Sequence, residues 1–138
     1  MPKYWLLKTE PSAYSYKDLE GEGTTVWDGV TNALALKHLR AMRKADRAFI
    51  YHTGDEKQIV GIAEVASNPY PNPKENDPRL VVVDLTPQER LRQPVTLAEI
   101  KMRREFADFE LVRMGRLSVM PVSRTYWLRL CEMANKVT

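Results

Sequence analysis

Apolar and polar side chains alternate between Tyr4 and Thr9. Tyr4, Leu6 and Lys8 fall on one side and Trp5, Leu7 and Thr9 on the other, which predicts a first strand. Pro11 ends its ladder, and Ser15-Tyr16-Lys17-Asp18-Leu19 reads as a short capped helical turn ahead of a Gly21/Gly23 loop. Thr24, Thr25 and Val26 form a brief extended run that ends on Trp27. From Asn32 to Arg43 the period changes: Ala35, Leu36, Leu39 and Met42 recur at steps of three and four, the apolar stripe of a helix. Lys37, Arg40 and Lys44 form a separate basic stripe. Arg47 to Thr53 alternates again, and Gly54-Asp55-Glu56-Lys57 supplies a hairpin loop into a strand over Ile59 to Val65.

Asn68-Pro69-Tyr70-Pro71-Asn72-Pro73 reads as a surface excursion, because three prolines lack the N–H that a ladder needs. Leu80 to Leu85 resumes as a strand, and its continuous Val81-Val82-Val83 run suits a position covered on both faces or inside a barrel. Thr96-Leu97-Ala98-Glu99 is a capping box that opens a short helix. Phe106, Phe109 and Val112 stripe a further helix ended by Gly115, and Arg116 to Val119 returns to extended structure. Ser123 caps a last helix that buries Trp127, Leu130, Cys131 and Ala134. Strands flanked by short helices, without regular βαβ alternation, predict an α+β fold built on a small barrel-like sheet.

At 138 residues the chain fits one domain over 1–138 and is too short for separate cofactor and substrate domains. No stretch approaches the ~20 apolar residues that span a bilayer, and Met1-Pro2-Lys3-Tyr4-Trp5 enters a strand without a signal-peptide pattern. This predicts no membrane partner and a cytoplasmic location, or a nuclear one in a eukaryote. One cysteine, Cys131, excludes an intrachain disulfide. A net charge of +3 permits a polyanionic partner without demanding one.

The chemistry-bearing candidates are few. Two histidines, His38 and His52, with no Cys or His at ligand spacing, predict no metal centre. Gly21-Glu22-Gly23 lacks the third glycine of a dinucleotide fingerprint and the Lys-Ser/Thr of a phosphate loop, so no nucleotide cofactor is expected. Trp27-Asp28-Gly29-Val30-Thr31-Asn32 is more informative. A flat aromatic ends a strand, an Asp-Gly turn follows, and cap formers open a helix. This layout can place a π face, a carboxylate and free N–H groups around one concavity, as a planar nucleobase requires. The alternative makes Trp27 a core residue and Asn32 a simple cap. Lys8-Thr9-Glu10 supplies a cation, a hydroxyl and a carboxylate where strand one ends, or else an ordinary solvated exit. His52 is either a pocket donor or a strand histidine satisfied by a neighbour.

These residues carry a resemblance. Tyr4-Trp5-Leu6 with Lys8-Thr9-Glu10-Pro11, Trp27-Asp28-Gly29-Val30 with Asn32, Tyr70-Pro71 and Pro73, Pro94-Val95-Thr96-Leu97, and Arg116-Leu117-Ser118-Val119 with Pro121-Val122 follow one another as in the EVE domain. The chain resembles that family along nearly its whole length. EVE domains belong to the PUA-like superfamily and are related to YTH domains, which hold a methylated adenine in an aromatic cage. The resemblance implies a PUA-like β-barrel with surrounding short helices. Its pocket would take a modified nucleobase, a modified cytosine in DNA or a modified base in RNA. It also implies that Trp27 is the cage residue, that Lys8, Thr9 and Glu10 line the pocket floor, and that Asn32 sits beside it at the helix opening. Arg116 and Ser118 match a further family motif.

Two positions depart from the family pattern. Thr31 stands where Arg is usual, which removes a basic contact near the mouth, and Ala45 stands where Gly is usual. The expectation is a non-enzymatic reader in which Trp27 carries the base, Glu10, Thr9 and neighbouring backbone groups read its edge, and Lys37, Arg40 and Lys44 hold the nucleic-acid backbone. Its rivals are an enzyme using Glu10 or Asp28 as acid or base, and a protein-interaction module using the Tyr70-Pro71-Asn72-Pro73 loop.

Overall fold

The computed structural model describes residues 2–135. Strand β1 (Tyr4–Thr9) leads through helix α1 (Tyr16–Glu22) to β2 (Thr25–Trp27), helix α2 (Ala33–Ala41) and the hairpin of β3 (Arg47–His52) and β4 (Gln58–Val65). Then come β5 (Tyr70–Pro71), β6 (Val81–Thr96), helix α3 (Leu97–Lys101), helix α4 (Glu110–Arg113), β7 (Val119–Val122) and helix α5 (Arg124–Ala134). The sheet runs β2-β6-β4-β3-β1-β7, with β5 also on β6. It curls into a half-barrel with the helices around it, an α+β architecture. All its pairings are antiparallel except β1 with β3, where Leu6 faces Phe49.

The capping residues act as their chemistry requires. Ser15 and Thr96 each close a capping box, with Asp18 and Glu99 answering three residues on. Asn32 and Ser123 accept from Ala35 N and Tyr126 N at the starts of α2 and α5. The core fills the curl: Leu6, Leu7, Leu39, Phe49, Ile59, Leu85 and Phe106 are fully enclosed. Trp127 of α5 stacks on Phe49 at 3.9 Å and on Tyr4 at 4.5 Å.

Four elements differ from the sequence reading. Strand β6 is 16 residues long rather than ending at Leu85. Its prolines fall where the ladder with β4 is irregular: Pro87 faces Ala63 beside one register shift, and Pro94 lies within the stretch spanned by the other. The Phe106–Val112 stripe is not one helix but a 3-10 turn at Arg104–Phe106 followed by the single turn of α4. Phe106 and Phe109 use the spacing to meet Tyr126, each at 5.1 Å. Arg116 lies in a turn, Leu117 N donating to Met114 O at 3.0 Å, and extended structure starts only at Val119. Within the proline-rich excursion, Tyr70 and Pro71 pair with Val82 and Val81, an edge position that a proline tolerates.

A buried carboxylate pins the start of β3. Asp46 is 4% exposed and accepts from Trp5 Nε1 (2.9 Å), Lys3 N (2.9 Å) and Arg43 N (3.0 Å). Just before it, Ala45 holds φ 82°, a conformation that glycine adopts without strain and alanine does not.

Candidate functional site

Strand β2 delivers Trp27 to the end of the sheet, after which the chain turns at Gly29 with φ 79°. Beside the indole is a cleft of about 450 Å³, lined by Thr9, Tyr14, Glu22, Asp28 and Lys74, with Thr24, Thr25 and Val26 along the strand. Trp27 is 7% exposed, so its ring forms part of the inner wall and does not project at the rim. Tyr14 meets it edge-on, centroids 6.1 Å apart and planes at 82°, the arrangement that ring quadrupoles favour.

The polar groups of the cleft are largely acceptors. Thr9 Oγ1 donates to Tyr14 O at 2.7 Å, and the Tyr14 hydroxyl donates to Glu22. Burial, reinforced by the Glu22 carboxylate, pushes the Tyr14 hydroxyl up to about 12. Both hydroxyl protons are therefore committed within the protein. Glu22 and Asp28 add carboxylates, and Lys74 is the one cationic side chain among the lining residues.

Only three of the anticipated contact residues, Thr9, Trp27 and Asp28, come together here. Strand parity separates Lys8 from Thr9. Lys8 points to the opposite face, donates to Gly115 O at 2.8 Å and lies 5.7 Å over the Tyr51 ring, and burial lowers its pKa. Glu10 accepts from Ser12 Oγ at 3.0 Å and faces the hairpin at Gly54, outside the cleft lining. His52 is 6% exposed; Nε2 accepts from Tyr16 N at 3.0 Å and Nδ1 meets Glu56 at 2.9 Å, so it holds the start of α1.

Asn32 and Arg116 line a separate groove of about 400 Å³ with Arg113 and Met114. Ser118 contributes its carbonyl to Lys8 N at 2.9 Å. Of the basic stripe, Lys37 and Lys44 are exposed, while Arg40 donates to Arg79 O at 3.2 Å beside Thr31 in a third groove. None of the three lines the Trp27 cleft.

A family model described as the EVE domain matches residues 3–133 of this chain. The chain belongs to the EVE domain family. Thymocyte nuclear protein 1 of Mus musculus is 30% identical over 158 aligned positions, covering 90% of this chain and 70% of that protein. Among solved structures, a Rhodopseudomonas palustris protein determined by NMR is 42% identical, with TM-score 0.91 over 96% of this chain and 92% of its own. The human THYN1 protein, crystallised with DNA containing 5-methylcytosine, is 27% identical, with TM-score 0.89 over 99% of both chains.

The lining residues of this EVE domain that sequence reasoning missed are Tyr14, Glu22, Thr24, Thr25, Val26 and Lys74. Tyr14 belongs to the aromatic-rich first sixteen residues, which was a usable signal. Lys74 lies far along the chain in the proline-rich loop, and nothing local announces that it meets β2. Among the described residues no three His, Cys, Asp or Glu side chains are grouped as a metal would need, and no helix is long and apolar enough to cross a membrane.

Proposed function

We propose that this EVE domain is a non-enzymatic nucleic-acid-binding module whose cleft holds a modified nucleobase, lifted out of its stack, against Trp27. One observation carries the reading: a right-angled Trp27–Tyr14 corner borders a cleft of about 450 Å³, inside the range of about 300–1,000 Å³ typical of small-ligand sites. Aromatic walls supply sequence-tolerant affinity for a base. The carboxylates of Glu22 and Asp28 repel phosphate, so the base enters the cleft while the backbone stays outside near Lys74. The human THYN1 complex with 5-methylcytosine DNA supports a modified cytosine as the first ligand to test.

Glu10 does not share the cleft with Asp28, so the two carboxylates of the acid/base alternative do not stand together. A buried methyl contributes only about 1 kcal/mol from area, so preference for the modified base over its parent is modest, on the order of fivefold. Titration of single-stranded oligonucleotides carrying one 5-methylcytosine tests the proposal. Trp27→Ala loses most of the affinity while circular dichroism shows the fold retained. Undiminished binding by Trp27→Ala, or no binding by the unaltered protein to any modified or unmodified oligonucleotide, overturns it.

A further inference from the structure

Strand β2 is an edge of the sheet, and the pairing on its other side fixes where its backbone points. Thr25, Val26 and Trp27 face Leu85, Asp84 and Val83 of β6. Asp84 does not spend its main chain on Val26. Its N–H donates to Ser67 Oγ at 2.9 Å and its carbonyl accepts from Ala66 N at 2.8 Å, both on the β4 side. Residues opposite one another in an antiparallel ladder either exchange both hydrogen bonds or turn both away. Val26 therefore turns its N–H and C=O outward at the open edge, where Val26 lines the cleft beside Trp27. Val26 is 45% exposed, so these groups face water and are free to exchange it for a ligand's polar edge.

We infer that the main-chain N–H and C=O of Val26 read the hydrogen-bonding edge of the base, holding 5-methylcytosine through its ring N3 and its exocyclic amine. This rests on the reading of the cleft given above. The ring nitrogen accepts from Val26 N–H, and the exocyclic amine donates one proton to Val26 O. The second amine proton finds an acceptor among Thr9, Glu22 and Asp28, whose side chains line the same cleft. Val26 itself offers no side-chain chemistry, so this contact is invisible to a search for polar residues.

Proline removes the N–H at a position where the backbone tolerates it, because edge strands accept proline and Thr25 before it is already extended. Val26→Ala is the control that keeps the amide. Binding is measured to a single-stranded oligonucleotide carrying one 5-methylcytosine and to the same strand with ring N3 of that base replaced by C–H. Val26→Ala binds within about threefold of the unaltered protein, whereas Val26→Pro loses about tenfold, the scale of one hydrogen bond in a desolvated site. The N3 replacement costs the unaltered protein about tenfold and costs Val26→Pro nothing further, since the two changes remove the same bond.

Full-strength binding by Val26→Pro, or losses from the two changes that simply add, overturns the inference while leaving the cleft reading intact. If Val26→Pro melts early, the N3 replacement on the unaltered protein decides alone: a loss under twofold overturns the inference. Absence of any binding by the unaltered protein is the separate failure of the cleft reading.

Discussion

The Tyr16 ring lies directly on Gly61: a Cβ added to the glycine would sit 2.4 Å from Tyr16 Cε1. The ring cannot step aside, since it is 1% exposed and its hydroxyl donates to Ile62 O at 2.7 Å. This contact seats α1 on β4 and so fixes the segment that carries Tyr14 and Glu22 to the cleft. Gly61→Ala is expected to destabilise the protein by about 1–3 kcal/mol through overpacking. Urea denaturation checks it, and a change under about 0.5 kcal/mol contradicts the contact.

At Ala45 the opposite substitution should help. Its φ of 82° is strained for a residue with a Cβ, and its N–H donates to Val65 O at 2.8 Å, so the turn cannot relax without losing that bond. Ala45→Gly removes strain of about 1–2 kcal/mol and returns up to about 1 kcal/mol through the freer unfolded chain. A net gain of roughly 0.5–1 kcal/mol is expected, read as a higher melting temperature. A lower one would show that the turn holds alanine without strain.

Asp46 answers three donors with two oxygens, Oδ2 taking both Trp5 Nε1 and Arg43 N. In Asp46→Asn one of those positions becomes an NH₂ group, which sets donor against donor in a buried place. A loss of about 2–4 kcal/mol is expected. Stability indistinguishable from the parent would mean that these bonds do not hold the β3 entrance.

Five tyrosines titrate late, Tyr51 and Tyr126 through burial first, and three of the five are raised furthest. Tyr14 is raised to about 12 by burial and Glu22, Tyr16 to about 12 by burial first and then by Glu20, and Tyr70 to about 12 by its hydrogen bond to Asp84 first. The unfolded chain ionises near 10. Folding thus favours the neutral hydroxyls, and their contribution is whole below about pH 10 and is lost as pH rises through about 12. Spectrophotometric titration of the native protein should show most of the tyrosinate appearing above the range in which the unfolded chain ionises. All six ionising together near pH 10 would be the contrary result.

Lys74 is the one cationic side chain among the residues that line the cleft. Lys74→Ala is expected to weaken oligonucleotide binding and to make the dependence of log affinity on log salt shallower by roughly 0.7 for a single strand, one phosphate contact. An unchanged salt slope would place the nucleic-acid backbone elsewhere, with Arg113 and Arg116 the next candidates.

The legible parts of the fold were those that a short window of sequence decides. The alternation of Tyr4–Thr9, the capping residues Ser15, Asn32, Thr96 and Ser123, and the β3–β4 hairpin all stand where the pattern put them. Strand β6 was cut short because Pro87 and Pro94 argue locally against a ladder, and only the partner strand shows that they sit at its irregularities. In the cleft, Trp27 and Asp28 were legible from the strand-turn-helix signature. The grouping of Lys8, Thr9 and Glu10 failed on a rule that the alternation itself contained, since neighbours in a strand face opposite ways. Lys74 and the open backbone of Val26 follow from long-range pairing, which no local window records.

Parity in β1 has an evolutionary corollary. Thr9 serves the cleft and Lys8 clasps the Gly115 loop from the other side of the same strand. Gaining or losing a single residue within Tyr4–Thr9 would exchange the two duties, putting an ammonium on the floor beside Trp27 and a hydroxyl beneath the loop. A one-residue change of length in this strand keeps both duties only where a bulge absorbs it, as the register shifts between β4 and β6 do in this sheet.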